Sequence, residues 1–263
     1  MFLRIQFLQK FLYAALKISG WKKSVLWKNL DYLYPGMSIR QKKNFRDKLL
    51  KNLSQDASEF LTRSWIYSKG DSRFSVDKKS IPVLEQMKQG GLMLTAHFGN
   101  YEAIGPWLVR QGVPLLASYA KLKPEFLDKW VYSKYRSIDN YNYSLFINNP
   151  RDILKKLDEK KLFCLIADQD FRNHRFTLGN LLGKPVHCNP IPAFILKYRS
   201  KTPIYICWIE SDLRTKTLFA KRIYVSNGEE VFSNFHAQLE KIINLFPERW
   251  YGWIHRRYLS TGH

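Results

Sequence analysis

Acidic residues are scarce in this chain, and so is cysteine. Asp and Glu number 22 against 43 Lys and Arg, a formal net charge of +21 over 263 residues. That imbalance points to anionic partners, whether nucleic acid, anionic lipid or an acidic carrier protein, and speaks against binding of cationic ligands. The three cysteines, Cys164, Cys188 and Cys207, are widely spaced and form no CxxC pair. A disulfide framework and a structural zinc site are therefore not expected, and the thiols read as buried and reduced. No run of 18 apolar residues is free of charge, so no transmembrane helix is expected. Internal repeats and low-complexity stretches are also missing.

Aromatics, by contrast, are plentiful at 15%. Basic plus aromatic suits a membrane interface and also single-stranded nucleic acid. The first twenty residues are strongly apolar but are cut by Arg4, Lys10 and Lys17. Gln6, Lys10, Tyr13 and Lys17 recur at helical spacing as one polar stripe, which makes an amphipathic helix with a wide apolar face. Lys10 would interrupt a signal-peptide core, so a cleaved leader fits poorly. Such a helix either packs on its own domain or lies on a membrane surface.

Residues 21 to 79 read as helical and basic. Pro35-Gly36 breaks the chain, and Ser38 caps a long helix from about Arg40 to Trp65. Phe45, Leu49, Leu53, Ala57, Phe60 and Leu61 form its expected buried face, the polar residues between them a solvated one. Lys69 to Lys79 is expected to be a polar connector. From Ser80 onward helices alternate with short apolar runs. Strands are expected near residues 92–96, 113–119, 143–147, 162–167, 203–209 and 218–225, the last at an edge. Helices are expected near 81–89, 103–109, 123–136, 151–159, 191–198 and 235–245. The fold class is thus α/β: a mixed, largely parallel sheet flanked by helices. An N-terminal membrane-associating helical region (1–79) precedes an α/β catalytic region (80–263) in one structural unit.

The chain is organised around the segment Leu92 to Glu102. An apolar run ends at His97, Gly99 follows, and Glu102 stands five positions after the histidine. On a continuous helix those two side chains would point about 140° apart. Gly99 frees the backbone to bend, and Asn100 is a plausible N-cap. Bent in this way, the strand end presents His97 as a base and the helix start presents Glu102 to orient it. Asp168, with Asp170 near it, closes another expected strand, and ligands of open α/β sheets gather at such carboxyl ends. The two aspartates read as turn or N-cap carboxylates or as paired acids; a metal site would need further ligands that the sequence does not nominate. In the tail, Trp250, Tyr251, Trp253 and Tyr258 are interleaved with Arg249, Arg256 and Arg257. Arginine forks suit phosphate and carboxylate groups.

Six sequence elements, in order, resemble those of the bacterial lipid A biosynthesis acyltransferases, the late lauroyl and myristoyl transferases of the HX4D/E glycerolipid acyltransferase superfamily. They are Asn29-Leu30 with Tyr34-Pro35 and Ser38; the His97-to-Glu102 box; Arg136; Asp168-Gln169; Gly183-Lys184-Pro185; and Pro247-Glu248 with Trp253 to Arg257. The chain departs from the family pattern at Tyr101, Leu181-Leu182, Arg249 and the stretch Val186 to Pro190. The resemblance implies transfer of a fatty acyl group from an acyl carrier protein thioester to a hydroxyl of a lipid A precursor. His97 would be the base and Glu102 its aligning carboxylate. Arg136 and backbone N–H groups would serve the oxyanion, with Asn100, Asp168, Gln169, Arg256 and Arg257 meeting substrate. No metal or nucleotide cofactor is implied, since the thioester is already activated. Expected partners are the carrier protein, the anionic lipid acceptor and the cytoplasmic face of the inner membrane, not nucleic acid. The rival readings are a transferase of the same superfamily acting on another lipid, and a non-catalytic membrane or nucleic-acid binder.

Overall fold

The computed structural model describes residues 2–62, 74–118, 125–126, 137–138, 141–145, 149–211, 215–255 and 258. Three helices open the chain: α1 (Phe2–Ile18), α2 (Lys23–Leu33) and α3 (Ile39–Thr62). The N-terminus of α3 is a capping box. The Gln41 N–H donates to Ser38 Oγ at 3.3 Å, and Gln41 Oε1 accepts from the Ser38 N–H at 2.8 Å. α1 lies against α3, setting Leu16 and Tyr13 on the core while Gln6 and Lys10 stay exposed. The Tyr13 hydroxyl donates to Asp47, and Lys17 Nζ meets Asp47 at 2.8 Å.

The first half of α3 buries Leu49 and Leu50, as its spacing predicts. Its second half departs from expectation. Leu61 is exposed, and the buried positions are Ser54, Asp56, Ser58 and Glu59. Of these, all expected to be solvated, Glu59 meets Asn100 in the segment that follows His97 and Asp56 meets Tyr251 near the C-terminus.

Among the described residues the main sheet has seven strands: β1 (Phe74–Val76), β2 (Gly91–Thr95), β3 (Leu115–Ser118), β6 (Ser144–Leu145), β7 (Leu162–Ile166), β10 (Ile204–Ser211) and β11 (Lys216–Ile223). They run in the order β1-β11-β10-β2-β7-β3-β6, and every neighbouring pair is parallel except β10–β11. Part of the expected polar connector, β1, forms the edge, so β11 lies one strand inward. Two further hairpins, β4 (Ser137–Ile138) with β5 (Tyr141–Asn142) and β8 (Thr177–Leu181) with β9 (Lys184–Cys188), stand apart from the sheet. The expected helix over 123–136 lies almost wholly outside the described residues.

β2 is buried along its whole length, as a central parallel strand covered on both faces must be. Its alternate side chains feed two cores. Leu92 and Leu94 join the larger one, with the N-terminal helices, α6 (Pro150–Asp158), α7 (Ile191–Tyr198), α8 (Gly228–Leu245) and the C-terminal aromatics. Met93 joins the other, under α4 (Ile81–Met87) and α5 (Ile104–Arg110). The three cysteines are free and buried. Among the described residues no helix is long and apolar enough to cross a membrane.

β2 and β7 are adjacent and in register, with Thr95 opposite Ile166, and the Ala167 N–H donates to the Thr95 carbonyl at 2.8 Å. Residues two positions beyond each strand therefore emerge side by side at the carboxyl edge. Those residues are His97 and Asp168.

Candidate active site

His97 is 9% exposed and sits where the chain leaves β2. Gly99 makes the turn behind it with φ +54, a left-handed value that a Cβ would strain, and that Cβ would lie 3.1 Å from the Ile209 carbonyl. The C-terminal segment then locks the turn as a strand would. The Tyr251 N–H donates to the His97 carbonyl at 2.7 Å, and the Gly99 N–H donates to the Arg249 carbonyl at 2.8 Å. Between them Phe98 and Trp250 form an antiparallel bridge.

The carboxylate that orients His97 is Asp168. Its Oδ1 lies 2.7 Å from His97 Nδ1. Its Oδ2 accepts the His97 backbone N–H at 3.1 Å and the Trp250 indole N–H at 2.8 Å. This corrects the expectation for Glu102. The chain does bend at Gly99, but it continues through a 3-10 turn, Tyr101–Ala103, into α5. Glu102 then acts on His97 through its charge, and Nδ1 belongs to Asp168. Asp168, expected at the substrate, is 1% exposed and lies behind the His97 ring. A carboxylate acceptor fixes the ring proton on Nδ1 and leaves a lone pair on Nε2.

Nε2 faces Gln169, whose Nε2 approaches it at 3.2 Å and also approaches His255 Nδ1 at 3.5 Å. The His97 and His255 rings lie 4.7 Å apart, and the Tyr101 ring meets His97 edge-on at 4.8 Å. The two histidines titrate in opposite directions. Burial is the largest influence on His97 and lowers its pKa, but the charge and hydrogen bond of Asp168, with the charge of Glu102, outweigh it and leave the pKa raised. Burial also lowers the pKa of His255, and the charge of His97 adds to it; Asp168 opposes and Lys22 reinforces, taking it to about 4. His255 is neutral near pH 7.

Asn100 is 2% exposed and makes no cap with its side chain. Its Nδ2 donates instead to Glu59 Oε2 at 2.7 Å, and the same oxygen takes Lys216 Nζ at 2.6 Å. Beside them the Tyr251 hydroxyl donates to Asp56 at 2.5 Å. Burial, foremost, pushes the Asp56 carboxyl up to about 6. A cleft of about 230 Å³ opens there, between Leu53, Asp56, Ala57 and Phe60 of α3 and residues Gly99 to Glu102. A second cleft, about 370 Å³, lies between Ile153, Phe163, Leu165, Phe171, Pro190 and Ile191.

Arg136, Arg256 and Arg257 lie outside the described residues. Among the described residues no group of three or more His, Cys, Asp or Glu side chains converges to hold a metal ion. Sequence reasoning overlooked Trp250 as a donor to Asp168, His255 beside the His97 ring, and the buried set of Asp56, Glu59 and Lys216. A periodicity argument places Asp56 and Glu59 on a wet face. The partners that turn that face inward come from the turn after β2 (Asn100), the start of β11 (Lys216) and the C-terminal segment (Tyr251).

No individual curated protein matches the chain. The family model for bacterial lipid A biosynthesis acyltransferases matches residues 4–260, nearly all of it, and the chain belongs to that family.

Proposed function

We propose that the protein transfers a fatty acyl group from an acyl carrier protein thioester to a hydroxyl of a lipid A precursor, with His97 as general base. The observation that carries this reading is the Asp168–His97 pair, whose ring lone pair points toward the site mouth at the carboxyl edge of the sheet. The hydroxyl gives its proton to His97 Nε2 while its oxygen attacks the thioester carbonyl carbon. Asp168 holds the ring and balances the imidazolium that forms. The tetrahedral intermediate then collapses, the C–S bond breaks, and the carrier thiolate leaves with the proton from His97. An ester has formed and a free thiol has been released. Arg136 remains the candidate oxyanion donor. Asn100, tied to Glu59, acts by holding the turn that carries His97.

The cleft beside β7, with Ile153, Phe163, Leu165 and Phe171 on its lining together with Asn173, Arg175 and Asn189, is suited to an alkyl chain next to a polar group. The excess positive charge suits an acidic carrier and a phosphorylated lipid. Phe7, Phe11 and Ile18 project from α1 at 75%, 61% and 87% exposure, and Lys22 acts on His255 at the site. An interfacial helix next to the catalytic mouth suits a lipid acceptor taken from the cytoplasmic face of the inner membrane.

The test is acyl transfer in vitro. Protein, acyl carrier protein thioesters of several chain lengths and a tetra-acylated lipid A precursor are incubated, and products are read by mass spectrometry. One added chain with wild type, and about 10²–10⁴-fold less with His97→Ala, is expected. No product at any chain length overturns the lipid A assignment, and other lipid acceptors would then be tried. A fully active His97→Ala overturns the role of the base.

A further inference from the structure

Gln169 occupies the position from which an acyl acceptor must reach His97. Its carboxamide N–H groups approach two ring nitrogens, His97 Nε2 at 3.2 Å and His255 Nδ1 at 3.5 Å. The protonation pattern along this line follows from one end. Asp168 fixes the His97 proton on Nδ1, so Nε2 can only accept. The group facing it must donate, which orients the Gln169 amide with its nitrogen inward. That same nitrogen then presents a second N–H to His255, whose Nδ1 must accept in turn. His255 is therefore required as a neutral ring with its proton on Nε2.

The surroundings hold it that way. Asn29 Nδ2 donates to the His255 carbonyl at 2.8 Å and to the Trp253 carbonyl at 2.7 Å, fixing the backbone of this turn. Partial burial and the charge of Lys22, joined by that of His97 once it takes a proton, disfavour a charged ring, with Asp168 opposing them. The distance of 3.5 Å is the long end of hydrogen bonding. The amide is thus shared between the rings and held more closely by His97.

We propose that His255 is a positioning residue that acts through Gln169. When the acceptor hydroxyl takes Nε2 of His97, His255 Nδ1 keeps the displaced carboxamide beside the reacting oxygen. One N–H stays on His255 and the other turns to that oxygen as its proton leaves. Without the acceptor on His255 the carboxamide either stays on His97, competing with the hydroxyl, or swings into solvent. The inference rests on His97 being the base of an acyl transfer, and its test separates the two.

Full-length wild type, His255→Phe, His255→Asn, Gln169→Ala and the double variant His255→Phe/Gln169→Ala are compared in the acyl-transfer assay. Thermal unfolding checks that each is folded. Phe keeps a ring against His97 but has no acceptor, whereas the Asn side-chain oxygen falls close to the place of Nδ1. The expected result is a kcat about ten-fold lower for His255→Phe. The KM for the acyl donor is unchanged, and His255→Asn recovers most of the loss. In the double variant the loss equals that of Gln169→Ala alone, because His255 acts only through Gln169. Wild-type kcat in His255→Phe, equal impairment in Phe and Asn, or losses that multiply in the double variant would each overturn the proposal. Nitrogen-15 NMR of the imidazoles gives a readout without turnover. The His255 Nδ1 resonance should be that of an unprotonated acceptor and should shift in Gln169→Ala. A protonated Nδ1 at pH 7, or no shift, overturns the contact even if no acyl chain is ever transferred; absent transfer with the NMR signature intact overturns only the reaction.

Discussion

Asp168 holds His97 at two points. One carboxylate oxygen takes the ring Nδ1 at 2.7 Å, and the other takes the backbone N–H of the same residue at 3.1 Å. Ring and backbone are fixed together, so the Nε2 lone pair has one direction. The Trp250 indole, fully buried, donates to the second oxygen at 2.8 Å and ties the C-terminal segment to the same carboxylate.

Replacing Asp168 by Asn tests that arrangement on two scales. An amide in its place presents a donor to Nδ1 or costs the ring its counter-charge. The expected loss is about 10²–10⁴-fold in kcat, the range for disabling a general base. The acid limb of the kcat–pH profile moves as well. His97 must be neutral to accept a proton, and its pKa is raised mainly by Asp168 acting against burial. In wild type the limb therefore lies above the ordinary 6.5, and in Asp168→Asn it falls to lower pH. The stability linkage has the matching sign. A raised histidine pKa stabilises the fold fully below 6.5, and that contribution is lost as pH rises through the folded value.

Glu102→Gln separates charge from contact. Glu102 raises the His97 pKa through its charge alone, as the last of the contributing influences. The acid limb should shift in the same direction as for Asp168→Asn, by less, while the ring orientation is retained. A pH profile in which Glu102→Gln moves the limb further than Asp168→Asn would restore Glu102 as the orienting carboxylate.

The order of strands and helices was legible because apolar runs and breakers are local signals. The strand at 162–167 and the helix at 191–198 are found as β7 and α7. His97 was legible for the same reason, as a histidine closing an apolar run before a glycine. Its partner was not. Glu102 is near in sequence, but Asp168 is 71 residues away and arrives through the register of β2 with β7. The β8–β9 hairpin was missed because its two-residue tip is Leu182-Gly183, both at positive φ. Such turns normally announce themselves with Asn-Gly or Asp-Gly, and a leucine in a left-handed conformation gives no warning.

Asp56 carries a stability signature. Its carboxyl is raised to about 6 from an ordinary 3.8, burial being the first cause. Between those values the native state holds a proton that the unfolded chain has released, so Asp56 makes the fold less stable as pH rises through this window. Asp56→Asn keeps an oxygen to accept from the Tyr251 hydroxyl and removes the ionisation. Relative to wild type, its unfolding free energy should climb between pH 4 and pH 7 by up to about 3 kcal/mol. Urea unfolding across that range checks this, and parallel curves for the two proteins would contradict it.

Gly99→Ala places a methyl at φ +54 and 3.1 Å from the Ile209 carbonyl. Left-handed strain on a residue with a Cβ costs about 1–3 kcal/mol. The turn it distorts carries His97 on one side and Asn100 on the other. Loss of about that much stability by thermal unfolding is expected, along with a fall in kcat larger than any change in donor KM. A variant as stable and active as wild type would mean that the turn tolerates a side chain and that its conformation is not what presents the base.

The exposed face of α1 makes the last prediction. Its packed face carries Leu16 and Tyr13 onto the core, with Tyr13 and Lys17 on Asp47 and the Arg46 guanidinium on the Leu16 carbonyl at 3.0 Å. Phe7 and Phe11 are left outward on the opposite side. A helix packed only to complete its own core would carry polar residues at those outward positions. Burying a Phe side chain is worth about 1.5–3 kcal/mol, so Phe7→Ser with Phe11→Ser should lower partitioning onto anionic vesicles at least ten-fold in a sedimentation assay. With detergent-dispersed acceptor the same variant should keep its kcat, because neither residue contacts the described site. Lys17→Ala, which removes the ion pair with Asp47, should loosen α1 from α3 and lower the unfolding temperature while leaving Phe7 and Phe11 available to lipid. If the double serine variant sediments with vesicles as wild type does, the membrane is met elsewhere, and the outward phenylalanines do not account for binding.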